Sequence, residues 1–270
     1  MTHTAAQRGI PPLRTWSRVE FALAGALLVL AALAWLGTGL AAMPGMTTGI
    51  LTGISGTAGM AGMPGESLSI AAFLLVWLVM MAAMMLPGIT PFTVGMRRLV
   101  RVRHARRGTV AALTTGYLVV WAATGVLAYQ VLRAFDAVAM TGGTVPVRVG
   151  AGVLIGAGLY QFTPLKHWCV VHCRSPLAVL MRHGDTVVRS RTGALWVGVH
   201  HGGYCFGCCW ALTVVLIAAG AMNLVWMAAL AALTTLEKAA PRGQVIGLVL
   251  GAVLVGLGIF LLLAPGTVAA

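Results

Sequence analysis

An all-α, polytopic transmembrane helix bundle is the fold class this sequence predicts, and three observations carry that expectation. Of the 270 residues, 59% are hydrophobic and only 9% charged, with a mean hydropathy of +0.94. So little polar surface cannot cover a water-soluble globule. Apolar runs of about 20 residues recur along the chain, each long enough to cross a hydrocarbon core roughly 30 Å thick. The 35 glycines suit helices that approach one another closely in lipid.

Taken in order, the runs give seven spans. The first covers Phe21 to Ala41. The second runs from Leu68 to Leu86, ending at Pro87, and the third from Val110 to Leu132. A fourth starts near Val147, reaches Phe162 and continues past Pro164 with a kink. The stretch from Gly193 to Leu236 is too long for one helix and divides near Gly220–Asn223 into a fifth span and a short sixth. A seventh runs from Gln244 to Leu263. Asn223 with Trp226 is expected to cap and anchor the outer end of the hairpin, and Glu237 with Lys238 to pair at the membrane interface.

Charge fixes the sidedness. With the N-terminus inside, the inner segments hold Arg8, Arg14, Arg18, six arginines between Arg97 and Arg107, Lys166, Arg174, Arg182, Arg189, Arg191, Lys238 and Arg242. That is 16 of the 18 basic residues, leaving only Arg133 and Arg148 outside. The expected topology is therefore seven spans, N-terminus in and C-terminus out. The segment before Phe21 resembles a signal peptide but lacks a small-residue cleavage site, so it reads as a cytoplasmic tail. Three regions follow: a basic tail over 1–20, the first span with an external Met/Gly-rich loop over 21–67, and a helical metal-binding domain over 68–264. The net charge of +13 is accounted for by these inner loops. No aromatic residues interleave the bases as a stacking platform requires, which argues against nucleic acid as a partner and leaves the lipid bilayer.

Chemistry is concentrated in one stretch. All five cysteines lie between positions 169 and 209. Cys169 and Cys173 in KHWCVVHC are four apart and share a helix face, with Thr163-Pro164 as the start of that helix. In HHGGYCFGCCW, His201, Cys205, Cys208 and Cys209 line one helical stripe. His167, His172 and His200 lie beside the same strings. Thiolates and imidazoles converging in a half-buried site favour a soft or borderline ion, Cu(I) first and Zn(II) second. The plain alternative is that cysteine is a small apolar residue suited to helix packing, which serves for one cysteine better than for five. Met80, Met81, Met84 and Met85 form i, i+4 pairs near the inner end of span two, a second set of soft donors or simple core filling. The outer loop adds Met43/Met46 and Met60/Met63. Thioether is a poor zinc ligand, which tilts the choice toward copper.

Five strings together, AMMLP (83–87), YQFTPLKHWCVVHCRSPL (160–177), HHGGYCFGCCWAL (200–212), GAMNLVWMAAL (220–230) and EKAAPRG (237–243), resemble a bacterial family. It is that of predicted metal-binding integral membrane proteins, which includes the copper-chaperone-like membrane partner of tyrosinase. The resemblance covers roughly residues 68–262 and excludes the Met-rich loop. It implies copper handling, with delivery to a partner copper-dependent oxidase. It also implies Cys169, Cys173, Cys205, Cys208 and Cys209 as ligands, and His201 with them. Thr213 stands where relatives are expected to carry methionine, so the site is not extended that way.

Three functions compete. One is a copper chaperone that carries Cu(I) to a partner enzyme or across the bilayer. Another is a transmembrane thiol–disulfide electron carrier, for which Cys169 and Cys205 would serve. A third is a non-catalytic subunit of a larger membrane complex. Enzymatic hydrolysis is not expected: the only aspartates, Asp136 and Asp185, have no His/Ser arrangement near them.

Overall fold

The computed structural model describes residues 17–41, 49–52, 69–103, 108–174 and 176–265. Most of the basic tail and the methionines Met43, Met46, Met60 and Met63 lie outside them. Among the described residues the chain is all-α, with no strand. The helices are α1 (Arg18–Ala41), α2 (Ile70–Val102), α3 (Thr109–Ala139), α4 (Val145–Gln161), α5 (Pro164–Arg174), α6 (Pro176–Arg189), α7 (Arg191–Gly220), α8 (Leu224–Ala239) and α9 (Gly243–Leu263).

Five of these, α1, α2, α3, α7 and α9, are long and apolar enough to cross a membrane. The count is six if α4 and α5 form one span broken by a 64° bend. The expected short sixth span, α8, is a helix of 16 residues, about 24 Å at 1.5 Å per residue and shorter than the hydrocarbon core. Leu33, Val249, Val253 and Phe260 on α1 and α9 are each more than half exposed, a greasy outer surface that suits lipid rather than water.

Local chemistry sets the helix ends. Ser17 and Glu20 cap α1 reciprocally: the Ser17 N–H donates to Glu20 Oε2 at 2.9 Å and the Glu20 N–H to Ser17 Oγ at 3.4 Å. The buried Glu20 carboxylate also takes Arg98 at 3.0 Å and Arg101 at 3.8 Å, tying α1 to the C-terminal end of α2. Ser190 caps α7 by accepting from the Gly193 N–H at 2.9 Å. Asn223 caps α8 as expected, accepting from Val225 and Trp226.

Helix α2 corrects the expected stop at Pro87. It runs unbroken through Pro87 and Pro91 to Val102. Thr90 Oγ1 donates to the Leu86 carbonyl at 2.8 Å and Thr93 Oγ1 to the Ile89 carbonyl at 3.1 Å. In a regular helix those carbonyls already accept from the Thr90 and Thr93 N–H groups, while Pro87 and Pro91 withhold a donor from the carbonyls of Ala83 and Pro87; within an apolar bundle a helix tolerates such prolines and runs on.

Helix α7 is the axis of the bundle, with 61% of its most apolar window buried against 22% for α1 and α9. It packs on α3, α4, α5, α6 and α8. Against α3 the backbones nearly touch: a Cβ on Gly116 would strike the Leu195 carbonyl, and one on Gly198 the Leu113 carbonyl. At the C-terminal end of α7, the fragment Gly49–Thr52 of the outer loop is pinned down. The Leu51 N–H donates to the Ala218 carbonyl at 3.0 Å and Thr52 Oγ1 to the Ala219 carbonyl at 2.6 Å, covering carbonyls the helix itself leaves free.

Candidate metal centre

The bend between α4 and α5 makes the site. Thr163 ends one helix and starts the next: its hydroxyl donates to the Tyr160 carbonyl at 2.7 Å and accepts from the Lys166 N–H at 3.3 Å. Pro164 fills the first position of α5, where its missing N–H costs nothing. Turned by 64°, α5 leans across α7 and delivers Cys169 and Cys173 to it. Gly207 receives them, since a Cβ there would lie 2.6 Å from Cys169 Sγ. Tyr160 fastens the same place, donating to the Gly207 carbonyl at 2.5 Å.

A buried ion pair holds the bend in position. Lys166 Nζ lies 2.7 Å from Glu237 Oε1 with both side chains almost fully enclosed, and it also donates to Gln161 Oε1. Arg174, at the end of α5, donates to the Ala240 carbonyl just beyond α8. The expected Glu237–Lys238 pairing therefore needs correction. Consecutive helix residues point about 100° apart, so Glu237 turns toward α5 while Lys238 turns toward α7.

The thiols meet midway along the 30-residue α7. The sulfurs of Cys173, Cys205 and Cys208 all lie within 4.8 Å of one another. Cys205 sits at the hub, between Cys173 on α5 and Cys208 one turn further along α7. The Cys208 and Cys209 thiols both donate to the Cys205 carbonyl, at 3.0 and 2.9 Å. Cys169, Cys205, Cys208 and Cys209 are buried, Cys173 is half-buried, and all five are free thiols.

Two groups that sequence reasoning missed touch the hub. Lys238 Nζ lies 3.2 Å from Cys205 Sγ and 3.7 Å from Met85 Sδ, and the Tyr117 hydroxyl lies 3.2 Å from Cys205 Sγ. An ionisable residue at the end of an apolar helix was the available signal for Lys238. Its partner, 33 positions away, was not legible.

The other expected donors are distributed more widely. His201 is buried one turn before Cys205, its ring stacked on Phe92 at 3.8 Å. It stands apart from the thiol triad, with a buried Nδ1 that has no hydrogen-bond partner among the described residues. Met85 is tied to the cluster through Lys238, whereas Met80, Met81 and Met84 are buried in the hydrophobic core. His167 is exposed. His172 is stacked on Tyr204 at 4.9 Å, and His200 packs on Trp196 at 4.0 Å. His183, on α6, lies 6.1 Å from His200 between ring centroids. Burial, with the nearby His200 and Arg182, holds the His183 imidazole below its ordinary pKa.

This is chemistry for a soft cation: several thiols and a thioether converging in a nearly dry interior. A family described as PpoB2, copper chaperone, matches residues 74–261. The chain belongs to that copper-chaperone family. The match spans more than two thirds of the chain and takes in every cysteine. Copper chaperones carry metal rather than catalyse reactions, in keeping with a site built of donors. No curated protein and no solved structure matches the chain.

Proposed function

We propose that this membrane chaperone binds Cu(I) as cargo on Cys173, Cys205 and Cys208, and hands it to a partner copper enzyme or moves it across the bilayer. The observation that carries this reading is the three sulfurs within 4.8 Å of one another at a helix bend. Cys169 and Cys209 complete the thiol set, and His201, with its unpartnered buried nitrogen, serves as a further donor. Cu(I) is favoured over Zn(II) because Met85 and its neighbours offer thioethers, which suit copper. His167, His172, His200, Met80, Met81 and Met84 stand as accessory donors.

In this reading the chain is a multi-pass protein of the bacterial inner membrane, with seven spans, N-terminus in and C-terminus out. The bent α4–α5 pair and the short α8 then each count as one span. Residues 1–20 form the inner tail, 21–67 the first span and outer loop, and 68–264 the metal-binding domain. The concentration of arginine at the inner ends supports that sidedness. Placement midway along α7 lets the thiols communicate with either face.

A thiol–disulfide carrier is the second reading, favoured by the Cys173 and Cys205 sulfurs within 4.8 Å of each other. Metal analysis under reducing conditions separates the two. Wild-type protein should retain copper, and Cys205→Ser/Cys208→Ser/Cys209→Ser should lose it. Equal copper in both would end the chaperone reading, and a ladder of thiol redox states would favour the carrier.

A further inference from the structure

Along α7 a second set of donors runs toward the thiols. Trp196, His200, Tyr204 and Cys208 follow one another at intervals of four residues. That spacing keeps neighbours in contact while the stripe winds slowly around the helix. Exposure falls along it: Trp196 is 45% exposed and His200 is exposed, Tyr204 is half-buried, and Cys208 is 2% exposed. The stripe therefore leads from the surface of the bundle into the metal centre.

Two imidazoles from other helices join it. His183 on α6 lies beside His200 with ring centroids 6.1 Å apart and planes tilted by 50°, and Trp196 packs on both, at 5.4 and 4.0 Å. Two metal–nitrogen bonds of about 2 Å each, with the ring radii added, span roughly 6 Å. That is the separation a two-coordinate ion between two imidazoles requires. Next inward, His172 on α5 stacks on Tyr204 at 4.9 Å. Its Nδ1 lies 2.8 Å from the Trp168 carbonyl. A carbonyl only accepts, so Nδ1 carries the proton and Nε2 keeps a free lone pair, the arrangement seen in metal-ligating histidines. Tyr204, on which His172 stacks, stands one turn before Cys208, a member of the thiol triad.

We propose that His183 and His200 form a nitrogen-donor site that receives Cu(I) at the surface of the bundle, and that His172 passes it on to the thiol triad. The proposal rests on the copper reading above. Imidazole holds Cu(I) less firmly than thiolate does, so ligand softness increases inward and the ion moves down that gradient without change of oxidation state. The thiol protons leave as the sulfurs take the metal.

The test separates this site from the thiol centre. Purified full-length Cys173→Ser/Cys205→Ser/Cys208→Ser protein is titrated with Cu(I) against a chromophoric chelator under reducing conditions, with and without His183→Ala/His200→Ala. The histidine pair should account for one weakly held copper, present with the imidazoles and missing without them. In the chain with all its thiols, His183→Ala/His200→Ala should slow filling of the thiol centre about tenfold, the lower end of what losing a metal-site partner costs. Both histidines lie at or near the surface, and helical circular dichroism verifies the fold, with His200→Ala alone as the milder variant. Equal copper with and without the histidines, together with unchanged filling, would make these rings an aromatic belt at the membrane interface and overturn the proposal. Failure of the copper reading itself appears elsewhere, as equal copper in wild type and the thiol-deleted chain.

Discussion

Replacing Gly207 with alanine probes the contact on which the metal centre is built. The added Cβ would lie 2.6 Å from Cys169 Sγ and 3.5 Å from Cys169 Cβ. Ordinary heavy-atom contact is about 3.5–4 Å, so the Cys169 thiol must turn away or α5 must withdraw by up to roughly 1 Å. The first movement takes Cys169 out of the thiol set, and the second carries Cys173, one turn further along α5, away from the triad. Metal–ligand distances tolerate only about ±0.2 Å, so a shift of that size removes one sulfur from the coordination sphere. The overpacking itself should cost about 1–3 kcal/mol of stability. Cu(I) affinity should fall at least ~10-fold, which corresponds to about 1.4 kcal/mol. Competition with a chromophoric Cu(I) chelator reads the affinity, and thermal unfolding in detergent reads the stability. Gly203→Ala on the same helix is the control, because a Cβ there meets nothing within 4 Å. If Gly207→Ala binds Cu(I) as tightly as wild type, the approach of α5 to α7 does not set the site and the reasoning fails.

Other perturbations have equally definite outcomes. Lys166→Met strands the Glu237 carboxylate in the interior, so unfolding should ease by about 3–5 kcal/mol, whereas Lys166→Met/Glu237→Leu should recover most of that loss; thermal melts of the three chains decide it. Lys238→Met removes the positive charge beside Cys205. Because Cu(I) on three thiolates leaves two net negative charges in a low-dielectric site, Cu(I) affinity should drop about tenfold, with Lys238→Arg restoring part of it by the same chelator competition. An unchanged affinity in Lys238→Met would mean that the ammonium plays no part in balancing the bound ion.

Much of this arrangement was legible in the sequence because the decisive residues are close along the chain. The two cysteine strings lie on helices that follow each other within a few dozen residues, and Thr163-Pro164 marks the bend between them. Hydrophobic length found the helices, including the short α8, and Asn223 marked its start. Helix α6 was invisible to that criterion, since PLAVLMRHGDTVVR is too short and too polar to span. Pro87 misled because its usual effect is to end a helix, whereas α2 carries it inside an apolar bundle, where helices tolerate proline. Lys238, Tyr117 and the Lys166–Glu237 pair could not be read because each depends on which way one side chain turns between distant helices. The same limit applies to His201, which shares a stripe with Cys205 yet turns its ring onto Phe92.

Copper K-edge X-ray absorption on the Cu(I)-loaded protein, kept under reducing conditions, bears most directly on the claim that thiols from α5 and α7 grip one soft cation. Two or three sulfur scatterers at about 2.3 Å, lost in Cys173→Ser/Cys205→Ser/Cys208→Ser, are the expected result. A first shell of nitrogen and oxygen alone, unchanged by removal of those cysteines, would contradict it.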